Sequence, residues 1–261
     1  MKYSRFIVCG DSYSEGMSDE MVNGKYRGWA DRVADGLAAQ NPDFTYANLA
    51  IRGKLLQQVI EDQLPVALSY VTGPETLLSF HGGANDVIRP NYDAALSRQR
   101  YTDAVRKAAA SGATIMLFTV LEETGNTGRT ARLWKDRFGA FNATVREVGA
   151  EVGAIVHDGN SGTLFQDNRF LAFDRLHINV DAHFRVGQAV LEKLGYPFDS
   201  SWKVPLAPMP KFFALKRKVT TPLWFFSFVI PWIIRRLRGR SSGDGRSAKY
   251  PTPIHWPNHQ I

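Results

Sequence analysis

The chain has 261 residues, of which 44% are hydrophobic and 22% are charged, a composition that excludes global disorder and is typical of a globular protein with a sizeable core. The net charge of +7 is unevenly distributed, because the segment from Asp199 onward holds 11 Lys or Arg and only 2 Asp or Glu. The first 198 residues keep 21 basic and 23 acidic residues, a net charge of −2. The basicity therefore belongs to the C-terminal tail, and it does not predict nucleic-acid binding by the whole protein.

The single cysteine, Cys9, lies in an apolar run at residues 6–9, where we expect it to be a buried apolar residue. One cysteine allows no intrachain disulfide, so nothing in the sequence requires an oxidising compartment. The sequence passes from Met1-Lys2 directly into this run, without an apolar segment and cleavage site ahead of it. These features predict a cytoplasmic location.

Short apolar runs alternate with longer segments of helical period along the first two thirds of the chain. This alternation predicts a three-layer α/β/α fold with a central parallel sheet of about five strands, and a ligand site beyond the carboxyl ends of those strands. Asn179 is a suitable N-cap for the last helix, and Gly195 is suited to follow its end. Strands are expected at Arg5–Cys9, Phe44–Leu49, Thr76–Phe80, Ala113–Val120 and Ala154–His157, and helices from Trp29 to about Gln40 and at Leu55–Leu68, Tyr92–Ala110, Thr130–Gly149 and Val180–Leu194.

The pattern changes after Phe198, where prolines cluster and a basic, Pro- and aromatic-rich tail begins. We predict one domain over residues 1–198 and a C-terminal extension over 199–261. The apolar run 223–234 has about 12 residues, too few to span a bilayer, and four arginines follow it within six residues. Three interpretations of residues 223–240 stay open: packing against the body through aromatic side chains, a dimer contact, or peripheral contact with an anionic membrane surface. Nucleic acid is a fourth partner for this basic segment, and it is not expected.

Two of the predicted strands end in residues suited to acyl chemistry. Gly10-Asp11-Ser12 follows the first strand, where the glycine permits a sharp turn and the Ser12 hydroxyl would be exposed at the start of a helix. An Asp-Ser pair at this position also serves as an ordinary N-cap. Gly53 follows the second strand, where its backbone N–H could approach a negatively charged oxygen, or where the glycine could simply serve a turn.

Two further segments supply a hydrogen-bond donor and an acid–base pair. The Asn85 side chain, beyond the third strand, could donate to an oxyanion, although an Asx-turn is the alternative, and Asp86 is expected to be a local hydrogen-bond partner. Asp174 and His177 lie in the loop before the last helix. Their spacing would place a carboxylate beside an imidazole, as a general base requires, but an Asp-x-x-His sequence also arises by chance.

The order of these groups, each beyond a successive strand, resembles the SGNH hydrolases, also called the GDSL family. The resemblance covers about residues 5–195 and implies an SGNH, flavodoxin-like hydrolase domain over residues 1–198. It implies a serine hydrolase that cleaves small-molecule acyl esters, with no cofactor and no metal. Two alternatives stay open: an O-acyltransferase that uses a sugar or lipid hydroxyl as acceptor, and a non-catalytic binding module.

The resemblance also implies the roles of individual residues. Ser12 would be the nucleophile, His177 the general base and later acid, and Asp174 the residue that orients the imidazole. The oxyanion hole would consist of the Ser12 N–H, the Gly53 N–H and the Asn85 side chain.

Within the family, the Arg-Gly-Trp-Ala-Asp segment at 27–31 and the basic tail look closest to actinobacterial members. Tyr13 stands where the name-giving motif has leucine, which could affect the pocket but removes no catalytic group. The pattern Gly-x-Asn-Asp, which forms the third sequence block of the family, is intact at Gly83–Asp86.

Other chemistries find little support in the sequence. His157-Asp158 together with Asp167 could suggest a metal, but no close His or Cys pair with zinc spacing accompanies them. No dinucleotide-binding or P-loop glycine pattern is present. His183 falls in the last predicted helix, where a surface or core position is expected. The loops 14–28, 87–93 and 121–130 are expected to shape the pocket, and they do not reveal the substrate.

Overall fold

The protein is built on a six-stranded sheet with helices on both faces. The computed structural model describes residues 3–123 and 129–256, so residues 124–128 of the predicted pocket loop 121–130 lie outside the described residues. In chain order the strands are β1 (Arg5–Cys9), β2 (Met21–Val22), β3 (Lys25–Tyr26), β4 (Thr45–Asn48), β5 (Thr76–Phe80), β6 (Thr114–Phe118), β7 (Ile155–His157) and β8 (Tyr250–His255).

The helices follow the predicted pattern in the first 198 residues and continue into the extension. They are α1 (Ser12–Glu15), α2 (Gly28–Ala38), α3 (Leu56–Gln58), α4 (Leu64–Ser69), α5 (Ala84–Val87), α6 (Ala94–Ala109), α7 (Arg129–Val152), α8 (Val180–Lys193), α9 (Lys211–Val219), α10 (Thr221–Trp224) and α11 (Ile230–Leu237). Two π-helical turns, Val59–Gln63 and Phe225–Val229, join α3 to α4 and α10 to α11, and 3-10 turns occur at Leu164–Gln166, Asn168–Phe170 and Ser200–Lys203.

The sheet has the strand order β7-β6-β5-β1-β4-β8. All pairs are parallel except β4 with β8. The predicted three-layer fold is confirmed, and its five parallel strands are joined by a sixth, antiparallel strand from the extension. Two prolines, Pro251 and Pro253, argue against a strand in the sequence of β8. They are tolerated because β8 is an edge strand with a hydrogen-bonded neighbour on one side only.

The two faces of the sheet bury separate apolar clusters. Alternating side chains of β1 reach both, with Phe6 and Val8 on one face and Ile7 and Cys9 on the other. The first cluster includes side chains of α2 and α8, and the second includes side chains of α6 and α7. Asn179 caps α8 as predicted, since its side chain accepts from the Ala182 N–H at 3.1 Å.

The end of the extension packs into the first of these clusters. Trp256 is 1% exposed, and its indole N–H donates to Asp35 at 2.8 Å. The Lys249 ammonium is buried against Asp31 at 2.8 Å and also donates to the backbone carbonyls of Tyr26 and Arg27. Burial raises the pKa of Asp31 and lowers that of Lys249, so the ion pair offsets a desolvation cost on both groups. The predicted domain boundary at residue 198 stays a prediction.

The middle of the extension is a helical arm, which we define as residues 211–240. It comprises α9, α10, the π-helical turn and α11. Among the described residues, no helix has both the length and the apolar character needed to cross a bilayer.

We expect Trp256→Ala to lower the free energy of unfolding by about 3–5 kcal/mol, because it leaves a cavity between β8 and α2. Phe198→Ala, at an exposed position just before the extension, serves as the control and should cost less than about 1.5 kcal/mol. Chemical denaturation followed by circular dichroism measures both values. If both variants lose the same small amount of unfolding free energy, β8 is not part of the cooperatively folded unit.

Candidate active site

Ser12 begins α1 directly beyond the carboxyl end of β1. A side chain at Gly10 would come within 2.8 Å of the His81 carbonyl oxygen, so the turn needs a glycine for close packing. Asp11 caps α1 by accepting from the Tyr13 N–H at 3.2 Å. The turn thus places Ser12 at the start of a short helix. The residue is only 9% exposed, so the prediction of an exposed hydroxyl is wrong: the neighbouring loops cover most of it.

The Gln63 side chain holds this turn in place through two hydrogen bonds to the backbone of Gly10. Its amide oxygen accepts from the Gly10 N–H at 2.7 Å, and its amide nitrogen donates to the Gly10 carbonyl at 2.9 Å. Gln63 ends the π-helical turn after α3, a local irregularity of the kind often found at functional sites. The predicted single helix over 55–68 is therefore interrupted where it supports the Ser12 turn.

The side chains of Ser12, His177 and Asp174 form one hydrogen-bonded chain. The Ser12 Oγ lies 2.9 Å from His177 Nε2, and His177 Nδ1 lies 2.6 Å from Asp174 Oδ2. If Nδ1 carries the ring proton and donates it to Asp174, Nε2 is left free to accept from the serine hydroxyl. The structure therefore brings together three residues that lie in two distant parts of the sequence.

The surroundings of Asp174 favour its charged form. Burial opposes ionisation, but hydrogen bonds from the His177 ring and from the backbone N–H groups of His177 and Leu176 outweigh it and lower the pKa of Asp174. The other carboxylate oxygen accepts these two backbone N–H groups at 3.0 Å each. Arg175 has a left-handed φ of 59°, which lets this tight loop direct both side chains to the same side.

The helical arm contacts this loop. The Trp224 indole N–H donates to the Asp174 carbonyl at 2.9 Å. The Arg175 guanidinium lies over the Trp224 ring, 4.5 Å from its centroid, and donates to the Thr221 hydroxyl at 3.0 Å.

Asn85 and Gly53 lie on the other side of the Ser12 turn. The Asn85 amide nitrogen donates to the Lys54 carbonyl at 3.0 Å and to Asp11 Oδ2 at 3.2 Å. It therefore links the residue before Ser12 to the residue after Gly53. Gly53 has a φ of 76°, a conformation that favours glycine. Among the described residues, neither the Ser12 N–H nor the Gly53 N–H has a hydrogen-bond acceptor.

The Gly53 loop is held between α1 and the C-terminal extension. On one side, Glu15 forms an ion pair with the Arg52 guanidinium and accepts from the Arg52 N–H at 2.6 Å. On the other side, the Ser241 hydroxyl donates to the Gly53 carbonyl at 3.1 Å. Gly243 is buried against the same loop, and a side chain there would lie 2.1 Å from the Arg52 carbonyl oxygen.

Tyr13 directs its ring into the core. Its ring centroid lies 4.8 Å from that of His81 and 5.7 Å from those of Trp29 and Phe118. Burial raises the pKa of the Tyr13 phenol. The ring fills the place of an apolar side chain behind the Ser12 turn.

Two other histidines, His183 and His157, have different surroundings. His183 is fully buried, where it accepts from the Trp29 N–H at 3.3 Å and donates to the Met17 carbonyl at 3.1 Å, and burial lowers its pKa to about 4. Burial also lowers the pKa of His157 to about 4. His157 lines an open cleft of about 740 Å³ beside β7 and α8, which neither Ser12 nor His177 lines. Over residues 3–123 and 129–256, no group of three or more His, Cys, Asp or Glu side chains is arranged to hold a metal ion.

Several supporting contacts of the site were not foreseen from the sequence. These are the Gln63 clamp on Gly10, the Glu15–Arg52 pair, and the contacts of Trp224 and Ser241. No spacing rule indicates them, because each joins residues that are brought together only by the fold.

Asp86 has the expected structural role, since it accepts from the Leu56 N–H at 2.8 Å.

Comparison with known proteins places this chain in a family. The profile of the GDSL-like lipase/acylhydrolase family matches residues 8–184, which is more than half of the chain and includes Ser12, Gly53, Asn85, Asp174 and His177. A search of curated protein sequences gave no match.

Solved structures of esterases share the fold. An acetylxylan esterase from Geobacillus stearothermophilus has a TM-score of 0.57 at 17% identity, over 77% of this chain and 100% of its own. A lipase/acylhydrolase from Enterococcus faecalis has a TM-score of 0.58 at 20% identity, over 75% and 98%. An esterase from Pseudoalteromonas sp., inhibited by monoethylphosphonate, has a TM-score of 0.55 at 16% identity, over 74% and 97%.

The chain therefore belongs to the GDSL-like lipase/acylhydrolase family, and it is a hydrolase that cleaves ester bonds. The family match ends at residue 184, so the helical arm, Ser241, Gly243 and β8 all lie beyond it.

Proposed function

We propose that the protein hydrolyses carboxylic acyl esters through a Ser12-His177-Asp174 triad and a covalent acyl-enzyme. The observation that carries the proposal is the continuous chain from Ser12 Oγ to His177 Nε2 at 2.9 Å and from Nδ1 to Asp174 at 2.6 Å. Nucleophilic acyl transfer needs three groups: a nucleophile, a base within hydrogen-bond reach of it, and a carboxylate that orients the base.

In the first step, Ser12 Oγ attacks the ester carbonyl carbon while His177 Nε2 takes the hydroxyl proton. Asp174 stays ionised and stabilises the imidazolium that forms, which agrees with the lowering of its pKa. The imidazolium then gives its proton to the departing alkoxide as the C–O bond of the ester breaks. In the second step, His177 Nε2 takes a proton from water, and the resulting hydroxide attacks the acyl carbon. The bond between that carbon and Ser12 Oγ then breaks, and the His177 imidazolium returns its proton to Ser12 Oγ as the acid leaves.

The negative charge on the carbonyl oxygen would be stabilised by the Ser12 N–H, the Gly53 N–H and the Asn85 side chain. Because the two backbone donors have no acceptor among the described residues, they are available to a substrate oxygen. Asn85 would exchange its longer hydrogen bond, the 3.2 Å contact with Asp11, for the substrate oxygen and keep the one to Lys54. One donor of this kind is typically worth about 3 kcal/mol of transition-state stabilisation.

Water is the acceptor that we propose, since membership of a hydrolase family favours it over an alcohol. A sugar or lipid hydroxyl in the place of water would make the same site an O-acyltransferase. The ratio of alcohol-captured to hydrolysed product, measured with an added alcohol, distinguishes the two.

Within the family, we infer that the chain is of the actinobacterial type, on the basis of the Arg27–Asp31 segment and the basic tail. The contact of Lys249 with Asp31 and with the Arg27 carbonyl gives a physical reason why these two features would occur together. A cytoplasmic location remains our proposal, and it rests on the sequence alone.

Ser12→Ala should abolish ester turnover and block covalent labelling by a fluorophosphonate, because no other hydroxyl is bonded to His177 Nε2 among the described residues. The matched control is Ser14→Ala, which removes a buried hydroxyl on the same helix that has no described hydrogen-bond partner. Turnover of a p-nitrophenyl ester and intact-protein mass spectrometry provide the readouts. Full activity in Ser12→Ala would remove the basis of the proposal.

Asp174→Asn should preserve the fold and lower kcat by about three to four orders of magnitude, because an amide cannot stabilise the imidazolium or fix the same tautomer. The variant keeps an oxygen that can accept the two backbone N–H groups of the loop. Asp103→Asn, at an exposed position of α6, is the control and should leave kcat unchanged. A loss smaller than about tenfold in Asp174→Asn would show that another group orients His177.

A further inference from the structure

The helical arm exposes a row of large apolar side chains on α9. Phe212, Leu215 and Val219 are spaced three and four residues apart, so they share one face of the helix. They are 57–70% exposed, although buried positions are usual for such residues.

The second half of the arm also exposes large apolar side chains. Leu223 and Phe226 are 61% and 67% exposed, and Ile233 and Ile234 on α11 are each 41% exposed. A contiguous apolar patch on a protein surface marks a site of contact with another protein or with a membrane.

The same segment is uniformly basic. Residues 211–240 contain eight Lys or Arg and no Asp or Glu. Lys216 and Lys218 are exposed on α9, and Arg235, Arg238 and Arg240 are exposed at the end of the arm. Large apolar side chains flanked by cations are the combination found in helices that lie in the interface of an anionic bilayer.

We propose that the arm docks on an anionic membrane surface, with its apolar row in the interface and its cations on the lipid head groups. Charge complementarity favours this partner over a second copy of the chain, because a symmetric dimer through this surface would bring two uniformly basic arms together. Anionic lipids instead attract each Lys or Arg near the surface.

Docking would place the active site beside the bilayer. The Trp224 indole of the arm donates a hydrogen bond to the backbone carbonyl of Asp174. The side chain of this same residue is the one proposed to orient His177. Phe173 and Leu176, on the same loop as Asp174, are also exposed. The arm is thus attached to the body at the loop that carries the proposed acid–base pair.

The test uses the full chain with Ser12→Ala, so that binding does not depend on the proposed hydrolysis. Vesicles of phosphatidylcholine alone and of phosphatidylcholine with phosphatidylglycerol are sedimented with the protein at low and high salt. We expect binding to the phosphatidylglycerol vesicles, at least about tenfold weaker at high salt because exposed charges are screened.

Two pairs of matched variants locate the binding surface. Phe212→Asp with Phe226→Asp, and Arg235→Glu with Arg238→Glu, should each reduce binding at least about tenfold. The controls make the same charge changes at exposed positions of the body: Leu96→Asp with Leu133→Asp, and Arg100→Glu with Lys107→Glu.

Absence of binding to anionic vesicles would overturn the proposal, as would equal losses in the arm variants and their controls. Sedimentation velocity provides a further check. A dimer that the arm variants abolish, without vesicle binding by the parent protein, would assign the surface to a second copy and contradict the membrane proposal. Circular dichroism confirms that each variant is folded.

A separate observation concerns the segment 241–243, which packs directly on the Gly53 loop. The Ser241 hydroxyl donates to the Gly53 carbonyl, and Gly243 is buried against Arg52. A side chain on Gly53 would meet the Ser241 and Ser242 hydroxyls at 2.2 and 2.9 Å. The segment therefore packs on the two peptide groups that flank the Gly53 Cα. The first of them, between Arg52 and Gly53, contains the Gly53 N–H, which is the proposed oxyanion donor.

We infer that Ser241 and Gly243 are positioning residues for the Gly53 N–H. This inference rests on the oxyanion role proposed for Gly53. If it holds, displacement of the segment should lower kcat without changing KM, because the donor contacts the substrate oxygen mainly in the transition state.

Gly243→Ala should lower kcat about tenfold or more with KM unchanged, and Ser241→Ala should do so to a smaller degree. Ser241→Thr, which keeps the hydroxyl, should restore kcat, and Ser242→Ala is the matched control. If kcat is unchanged in folded Gly243→Ala and Ser241→Ala while Ser12→Ala is inactive, only this inference fails. Activity in Ser12→Ala would instead overturn the proposed function.

Discussion

The hydrogen bond between Ser12 and His177 is the contact on which the proposed function depends, and it joins residues 165 positions apart. It can form only because β1 lies in the centre of a parallel sheet, so that the turn after β1 and the loop before α8 meet at the same edge. The Gln63 clamp on Gly10 and the backbone bonds to Asp174 then hold the two ends of this contact from opposite sides. The fold serves to keep three side chains in hydrogen-bond reach.

Three separate contacts link the C-terminal segment, which lies beyond the family match, to the region that the match covers. β8 covers the edge of β4, the 241–243 segment packs on the Gly53 loop, and Trp224 contacts the Asp174 loop. Each contact includes a hydrogen bond to the backbone of the matched region. A segment that bonds to the backbone can be added to the domain without changing the side chains that carry the chemistry.

The regular part of the fold could be predicted because its signals are local. Alternating apolar runs and helical periods located the five parallel strands and the main helices, and Asn179 marked the start of α8. The β2–β3 hairpin was missed, although its Asn23-Gly24 turn, with φ of 50° and 76°, carries a local signal. By contrast, β8 could not be predicted, because its prolines are acceptable only at a sheet edge and nothing in the sequence shows which edge is open. The clamp by Gln63 depends in the same way on a π-helical turn that the periodicity of 55–68 does not reveal.

The most direct test of the account is a crystal structure of the enzyme after reaction with a phosphonate ester. We predict a covalent bond between phosphorus and Ser12 Oγ. The phosphoryl oxygen should lie about 2.7–3.1 Å from the backbone nitrogens of Ser12 and Gly53 and from Asn85 Nδ2. An adduct on another residue, or a phosphoryl oxygen directed away from Gly53 and Asn85, would contradict the account.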